Sequence, residues 1–298
     1  MSQQIGELAA IATALLWTLS TLAWTSAGRH IGAVSVAFIR LAIAVILLML
    51  YGQLVRGLAL PTDASAQTWL VLGLSGVMGF FVSDLCLFKS LLLIGPRLSL
   101  LVLSLTPPLA ALISAIFLAE GLSGRHWWAM GITLAGIVWV LLEQPASERL
   151  PHERRQLWQG VLLSLVAAIA QAIGHVLSRK GIGDYDAAAA TLIRILPAMA
   201  GYVLLLTVLR RWRPIAAAAR QGRIMAIMTF GAVVGPFLGV ILYMVALRNC
   251  HVGVVATIIS TMPVIILPFS ILLYREKVSL RAAGGALLSV AGVALLVW

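Results

Sequence analysis

Charge is what this chain has least of. Only 10% of its 298 residues are Asp, Glu, Lys or Arg, whereas 61% are hydrophobic. A water-soluble domain of this length lacks the interior volume to hide so much apolar surface. Cysteine is almost missing too. Cys86 and Cys250 fall inside or at the end of apolar runs, in no metal-like spacing, so a structural disulfide is not expected. No Walker phosphate loop, glycine-rich dinucleotide turn or metal-spaced cluster of His, Cys, Asp and Glu occurs in the sequence, so ATP drive, redox chemistry, a metal or another cofactor is not expected. Residues 1–7 hold no Lys or Arg, only Glu7, and the apolar run that follows is long for a signal peptide; it reads as a retained helix. The formal charge of +11 comes from arginines in loops beside apolar runs, where anionic lipid headgroups, not nucleic acid, are the nearer partner.

What is present is a series of apolar runs, each long enough to cross a bilayer. There are ten, at approximately 5–27, 34–55, 68–91, 96–118, 126–143, 157–179, 187–209, 224–247, 252–274 and 281–298. The joining loops are short. The expected fold class is an all-α, multi-pass membrane protein of ten transmembrane helices.

The runs repeat. LSLLVLSLTPPLAALISAIFLAEGLSGR (98–125) is answered by VVATIISTMPVIILPFSILLYREKVSLR (254–281). Ser104 recurs as Ser260, Pro107 as Pro263, Ser114 as Ser270, Glu120 as Glu276, Ser123 as Ser279 and Arg125 as Arg281, all 156 residues apart. Ala135-Gly136 and Ala291-Gly292 keep the same offset. So many matches at one spacing divide the chain into two copies of one unit, 1–146 and 147–298. Five spans per copy is an odd number, so the second copy enters the membrane from the opposite side. Two inverted units facing each other can expose a central site to either side in turn, as in a secondary transporter.

Polar residues inside the spans are the candidates for that site, because lipid penalises them. Trp17, Ser20 and Thr21 lie in the first span, and Trp17 and Thr21 share one face with Trp24. Gln171 and His175 take the places of Trp17 and Thr21 in the sixth span, at an offset of 154. Asp84 is the only acidic residue deep in a span; Arg40, Arg194, His175 and Lys89 are its possible partners. Tyr243 is the corresponding polar residue of the eighth span. Arg40 and Arg194, again 154 apart, are assigned with Glu120 and Glu276 as structural charges, with headgroup snorkelling and capture of an anionic solute as the other readings. Pro107, Pro108 and Pro263 interrupt the fourth and ninth spans and are expected to bend them as hinges. Asp84 and His175 are the candidates for proton coupling, with uniport or exchange equally open. Gly131, Gly136, Gly284, Gly285 and Gly292 mark the fifth and tenth spans as packing and dimer surface.

The paired stretches SLTPPL…FLAEGLSGR and STMPVI…LYREKVSLR, each followed by Ala-Gly, resemble the EamA domain, the duplicated unit of the ten-helix transporters in the drug/metabolite transporter superfamily. The likeness covers nearly the whole chain. It implies a bacterial inner-membrane exporter of amino acids or related metabolites, with a cavity lined by helices 1, 3, 4, 6, 8 and 9 and Trp17 at the tryptophan common in helix 1. Small multidrug relatives carry a glutamate in mid-helix 1, where this chain has Thr13, Trp17 and Ser20.

A small-molecule substrate and membrane lipids are the expected partners, nucleic acid is not, and the chain is expected as a monomer or homodimer. A lipid-carrier flippase on the same fold is the alternative. An intramembrane serine hydrolase, from Gly73-Leu74-Ser75-Gly76 and His175, is weaker because the same G-x-S-G pattern recurs in a loop at 121–124; no enzyme activity is expected. Orientation is divided. Outside the spans, five Lys and Arg (Arg56, Arg125, Arg179, Lys180, Arg248) lie on the side of the termini and fourteen on the other. That count puts the termini outside, whereas family members usually keep both ends in the cytoplasm.

Overall fold

A bilayer supplies no hydrogen bonds, so backbone in it must satisfy itself within helices. The chain follows that rule. The computed structural model describes residues 2–143, 154–262, 264–265 and 280–297, and among them there is no β-strand; Pro263 and Glu276 lie outside these residues. The first copy contains α1 (Ser2–Ile31), α2 (Ala33–Arg56), α3 (Ala66–Gly76), a π-helical stretch (Val77–Val82), α4 (Ser83–Leu103), α5 (Thr106–Phe117) and α6 (Gly124–Glu143). The second contains α7 (Arg154–Ile182), α8 (Ala187–Val208), the short surface helix α9 (Arg213–Ala219), α10 (Gly222–Ala232), a second π-helical stretch (Val233–Gly239), α11 (Val240–Asn249), α12 (Val252–Ile259) and α13 (Leu280–Val297).

Six helical segments among the described residues are long and apolar enough to span a membrane: Gln3–Gly28, Val34–Arg56, Ala66–Ser90, Arg155–Ile182, Ala187–Val208 and Gly222–Asn249. Local signals fix their ends. Gly57, at φ 72°, closes α2 by donating its N–H to the Gly52 carbonyl. Ser65 and Asp186 cap α3 and α8, accepting from the backbone N–H of Thr68 and Ala189.

The third and fourth expected runs differ from the sequence reading. No loop separates them at 91–96; α4 continues through this region to Leu103. The interruption comes at Ser104-Leu105, and Pro107 and Pro108 stand in the first turn of a new helix. A proline there sacrifices no hydrogen bond, because first-turn N–H groups have no helical acceptor. Pro107 and Pro108 therefore start α5 and do not kink a continuous helix. The same break recurs in the second copy, where α12 ends at Ile259 and a turn at Ser260-Thr261 precedes Pro263. Ser104 and Ser260 have nearly identical backbone angles, φ −64°, ψ −7° and φ −65°, ψ −8°.

The copies interlock antiparallel. Going up α1, Gly6 faces Cys250, Ser20 faces Gly235 and Trp24 faces Gly231, so α10–α11 descends as α1 rises. Going along α3–α4, Leu72 meets Gly181, Ser83 meets Ala167 and Ser90 meets Gly160. The first helix of each copy thus packs on the third span of the other. The last helices of the two copies, α6 and α13, pair likewise: Gly136 meets Gly285 and Ser289, and Gly292 meets Thr133, which buries against each other glycines also read as dimer surface. These exchanges place the π-helical stretches, themselves 156 residues apart at their starts, at the middle of the molecule. Wide π-turns are frequent where a helix serves a site.

Candidate functional site

Between those stretches lies a cavity of about 40 Å³, room for about one water. Trp17, Gly79, Phe80, Gln171, Gly174, His175, Arg194 and Tyr243 line it. Both copies contribute. α1 brings Trp17, the first π-stretch Gly79 and Phe80, α7 Gln171 and His175, α8 Arg194 and α11 Tyr243. Glycine makes the convergence possible. The Trp17 ring rests 2.6 Å from where a Cβ of Gly239 would lie, and a Cβ on Gly76 would overlap the Arg194 carbonyl oxygen.

The polar groups hold one another. The Tyr243 hydroxyl and His175 Nδ1 are 2.5 Å apart, and the Tyr243 ring lies 5.4 Å from the imidazole and 5.7 Å from the Trp17 indole. The Arg194 guanidinium sits 4.9 Å from the Phe80 ring centroid and 5.2 Å from that of Tyr243. Its Nε donates to Ser75 Oγ at 3.0 Å and one Nη to Met244 Sδ at 3.4 Å. Arg194 is only 3% exposed, and among the described residues no carboxylate pairs with it.

Of the residues singled out from sequence, Trp17, Gln171, His175 and Tyr243 meet at this cavity. Ser20, Thr21 and Asp84 are not among its lining residues. The hydroxyls of Ser20 and Thr21 donate to the Trp17 carbonyl at 2.9 and 2.7 Å. Asp84 pairs with Arg40, whose guanidinium lies 4.7 Å from the Trp24 ring centroid. Glu120 holds the terminal face: it accepts from Arg179 Nε at 3.2 Å and from the Val252 N–H at 3.0 Å. Ser75 is fully buried, donates to the Leu72 carbonyl and accepts from Arg194; no imidazole is among these partners, so the arrangement lacks the base that would activate a nucleophile.

Arg194 is the site residue that sequence reasoning assigned elsewhere. A signal was available. Asp84, which neutralises Arg40, has Val240 as its counterpart at the 156-residue offset, so the second arginine has no matching acid.

A larger recess, about 410 Å³, opens at the terminal face between the start of α3 and the α7–α8 turn. It shares no lining residue with the central cavity. An ion-pair lattice adjoins it. Arg56 contacts Asp63 at 2.5 Å and lies 5.2 Å from the Tyr185 ring centroid; the Tyr185 hydroxyl donates to Asp63 at 2.8 Å. That hydrogen bond, with Arg56 close by, holds the Asp63 carboxyl below its ordinary range. Partial burial, and then the bond to Asp63, pushes the Tyr185 phenol above its own. Arg179 donates to the Arg248 carbonyl and Arg248 to that of Tyr185, linking this lattice to Glu120.

Comparison with known proteins fits this architecture. One solved crystal structure superposes with a TM-score of 0.80 over 97% of this chain and 95% of its own, at 20% identity, a likeness of fold. No curated protein matches the sequence. The family model of EamA-like transporters matches twice, over residues 4–142 and 158–298. The chain is a multi-pass membrane protein and belongs to the EamA-like transporter family.

Proposed function

We propose that this protein is a secondary transporter of a bacterial inner membrane that exports a small metabolite, an amino acid or a related compound. Ten spans in two inverted five-helix units, 1–146 and 147–298, would carry it across by alternating access. One observation supports this reading above others: the central cavity is built from both copies, with Trp17 and Phe80 from one and Gln171, His175, Arg194 and Tyr243 from the other. A site shared between two units changes its access whenever they rock against each other.

In the conformation described the site is closed. About 40 Å³ cannot hold an amino acid, so α1 and α10–α11 must part from α3 and α7 before solute enters. The contact across that seam is polar, with Tyr243 of α11 meeting His175 of α7. The trapped polar groups can then exchange their mutual hydrogen bonds for bonds to solute.

Metabolite profiling of medium from overexpressing and deletion strains should reveal a compound that rises with the first and falls with the second. Efflux of that compound from proteoliposomes should fall at least tenfold in Trp17→Ala and in His175→Gln. Wild-type efflux in both variants would remove the central cavity from the transport path. Running the assay with and without a pH gradient tests coupling; loss of a gradient effect in Asp84→Asn or His175→Gln would name the proton carrier.

A further inference from the structure

The two copies match closely except in charge, and the mismatch sits at the cavity. In the first copy Arg40 is neutralised by Asp84. In the second, Val240 stands where the acid would be, and among the described residues Arg194 has only neutral partners: a serine hydroxyl, a thioether sulfur and two aromatic faces. An arginine keeps its proton under all physiological conditions. Left uncompensated at 3% exposure it is costly, and thioether and aromatic partners return little of that cost.

We infer that Arg194 receives an anionic group of the transported solute, a carboxylate or a phosphate ester, and that the solute supplies the countercharge that Asp84 supplies to Arg40. This rests on the transporter reading and names its substrate class. The guanidinium edge is suited to planar, two-point recognition of either oxyanion. Ser75 and the faces of Phe80 and Tyr243 hold the plane, while Gly79, with no side chain beside the guanidinium, leaves room for approach. Gln171, His175 and the Trp17 indole would meet the remainder of the solute. With Asp84 already engaged by Arg40, no carboxylate among the described residues lines the cavity to attract a purely cationic solute.

The test uses purified full-length protein and thermal unfolding against a panel: the twenty amino acids, the carboxamide of each, glycerol 3-phosphate, inorganic phosphate, and neutral polyols, each at 10 mM. At least one carboxylate or phosphate ester is expected to raise the melting temperature, while the matched carboxamide does not. Which of the two anions acts separates carboxylate from phosphate. Arg194→Gln should abolish the shift. Val240→Asp, which restores the acid of the first copy, should raise the melting temperature without ligand and also abolish the shift. Arg194→Lys keeps the charge without the fork and should retain a weakened response, which guards against a folding artefact.

A ligand effect confined to neutral or cationic compounds, no response to any anion, or an anion response that survives in Arg194→Gln overturns the inference. Should a neutral compound bind and lose its effect in Trp17→Ala, the cavity stands as the solute site and the anion assignment alone fails. If binding ignores Trp17→Ala, His175→Gln and Arg194→Gln together, the site itself fails.

Discussion

His175 and Tyr243, buried at the centre of this molecule, answer to each other, and removing one leaves the other stranded. Tyr243→Phe deletes the hydroxyl that meets His175 Nδ1, and an imidazole nitrogen 6% exposed as a residue then has no bond in place of it. The expected loss is about 1–3 kcal/mol, the cost of an unsatisfied buried group, read as a lower melting temperature together with reduced efflux. Asp84→Asn strands Arg40 beside Trp24 and should destabilise by about 3 kcal/mol, whereas the Arg40→Gln, Asp84→Asn double variant should recover most of that. A double variant no more stable than Asp84→Asn would show that the pair contributes nothing as a pair. At this scale the sequence told part of the story. Spacing put Trp17, Gln171, His175 and Tyr243 at mid-depth in three spans, and they do converge. It could not tell that Ser20 and Thr21 would turn their hydroxyls to a helix carbonyl, because a side chain's choice between its own backbone and a cavity is set by rotamer and neighbours.

Among the elements, the breaks before Pro107 and Pro263 show where pattern reading goes astray. The prolines were visible and so was their repetition; which side of a proline the chain breaks on was not. Proline forbids continuation only through the carbonyl four residues before it and the residue just before it. A turn two or three residues upstream removes the first of these, and Ser104-Leu105 makes it, as Ser260-Thr261 does in the second copy. Because Pro107 stands where no hydrogen bond is lost, Pro107→Ala should change stability by less than about 1 kcal/mol. A gain of about the 3 kcal/mol by which alanine exceeds proline in a helix interior would argue for a continuous helix instead. Gly76→Ala is the opposite case. Its Cβ would meet the Arg194 carbonyl oxygen, part of the α8 backbone, which cannot swing aside as a side chain can. The α3–α8 seam must open, at about 3 kcal/mol or more, and Arg194 must shift with it; both melting temperature and anion response should fall. Glycines of the fifth and tenth runs were legible as packing residues, but which backbone each one faces depends on how the copies meet.

At the scale of the whole molecule, the antiparallel exchange of first and third spans was foreseeable from an odd number of spans per copy, but the closed state was not, since no sequence pattern says which face is shut. In the structure a lattice of charges gathers at the face that carries the start of α1. Glu120, Arg179, Arg248, Arg56, Asp63 and Tyr185 form a chain of ion pairs and hydrogen bonds that joins the ends of α2, α5, α7 and α11. Its pH response follows from Asp63. The carboxyl is held below its ordinary range, so it supports the folded arrangement fully above the unfolded value near about pH 4 and loses that support as pH falls through the lowered folded value. Melting temperature should therefore be flat in this respect from pH 8 to 5, and Asp63→Asn should differ from wild type at neutral pH yet converge with it once the pH has fallen below the lowered folded value. Cys250 reports on the same face without any added label site. Its thiol is 4% exposed and lies 3.2 Å from the Gln3 carbonyl, beneath the start of α1. If the lattice is what keeps α11 packed at this end, Glu120→Gln in a Cys86→Ser background should speed Cys250 modification by a membrane-impermeant maleimide about tenfold, as expected for a contact of about 1.4 kcal/mol lost from the closed state alone. An unchanged rate with intact folding would mean that the seam of glycines against Trp17 and Trp24, and not the ion pairs above it, holds the molecule shut.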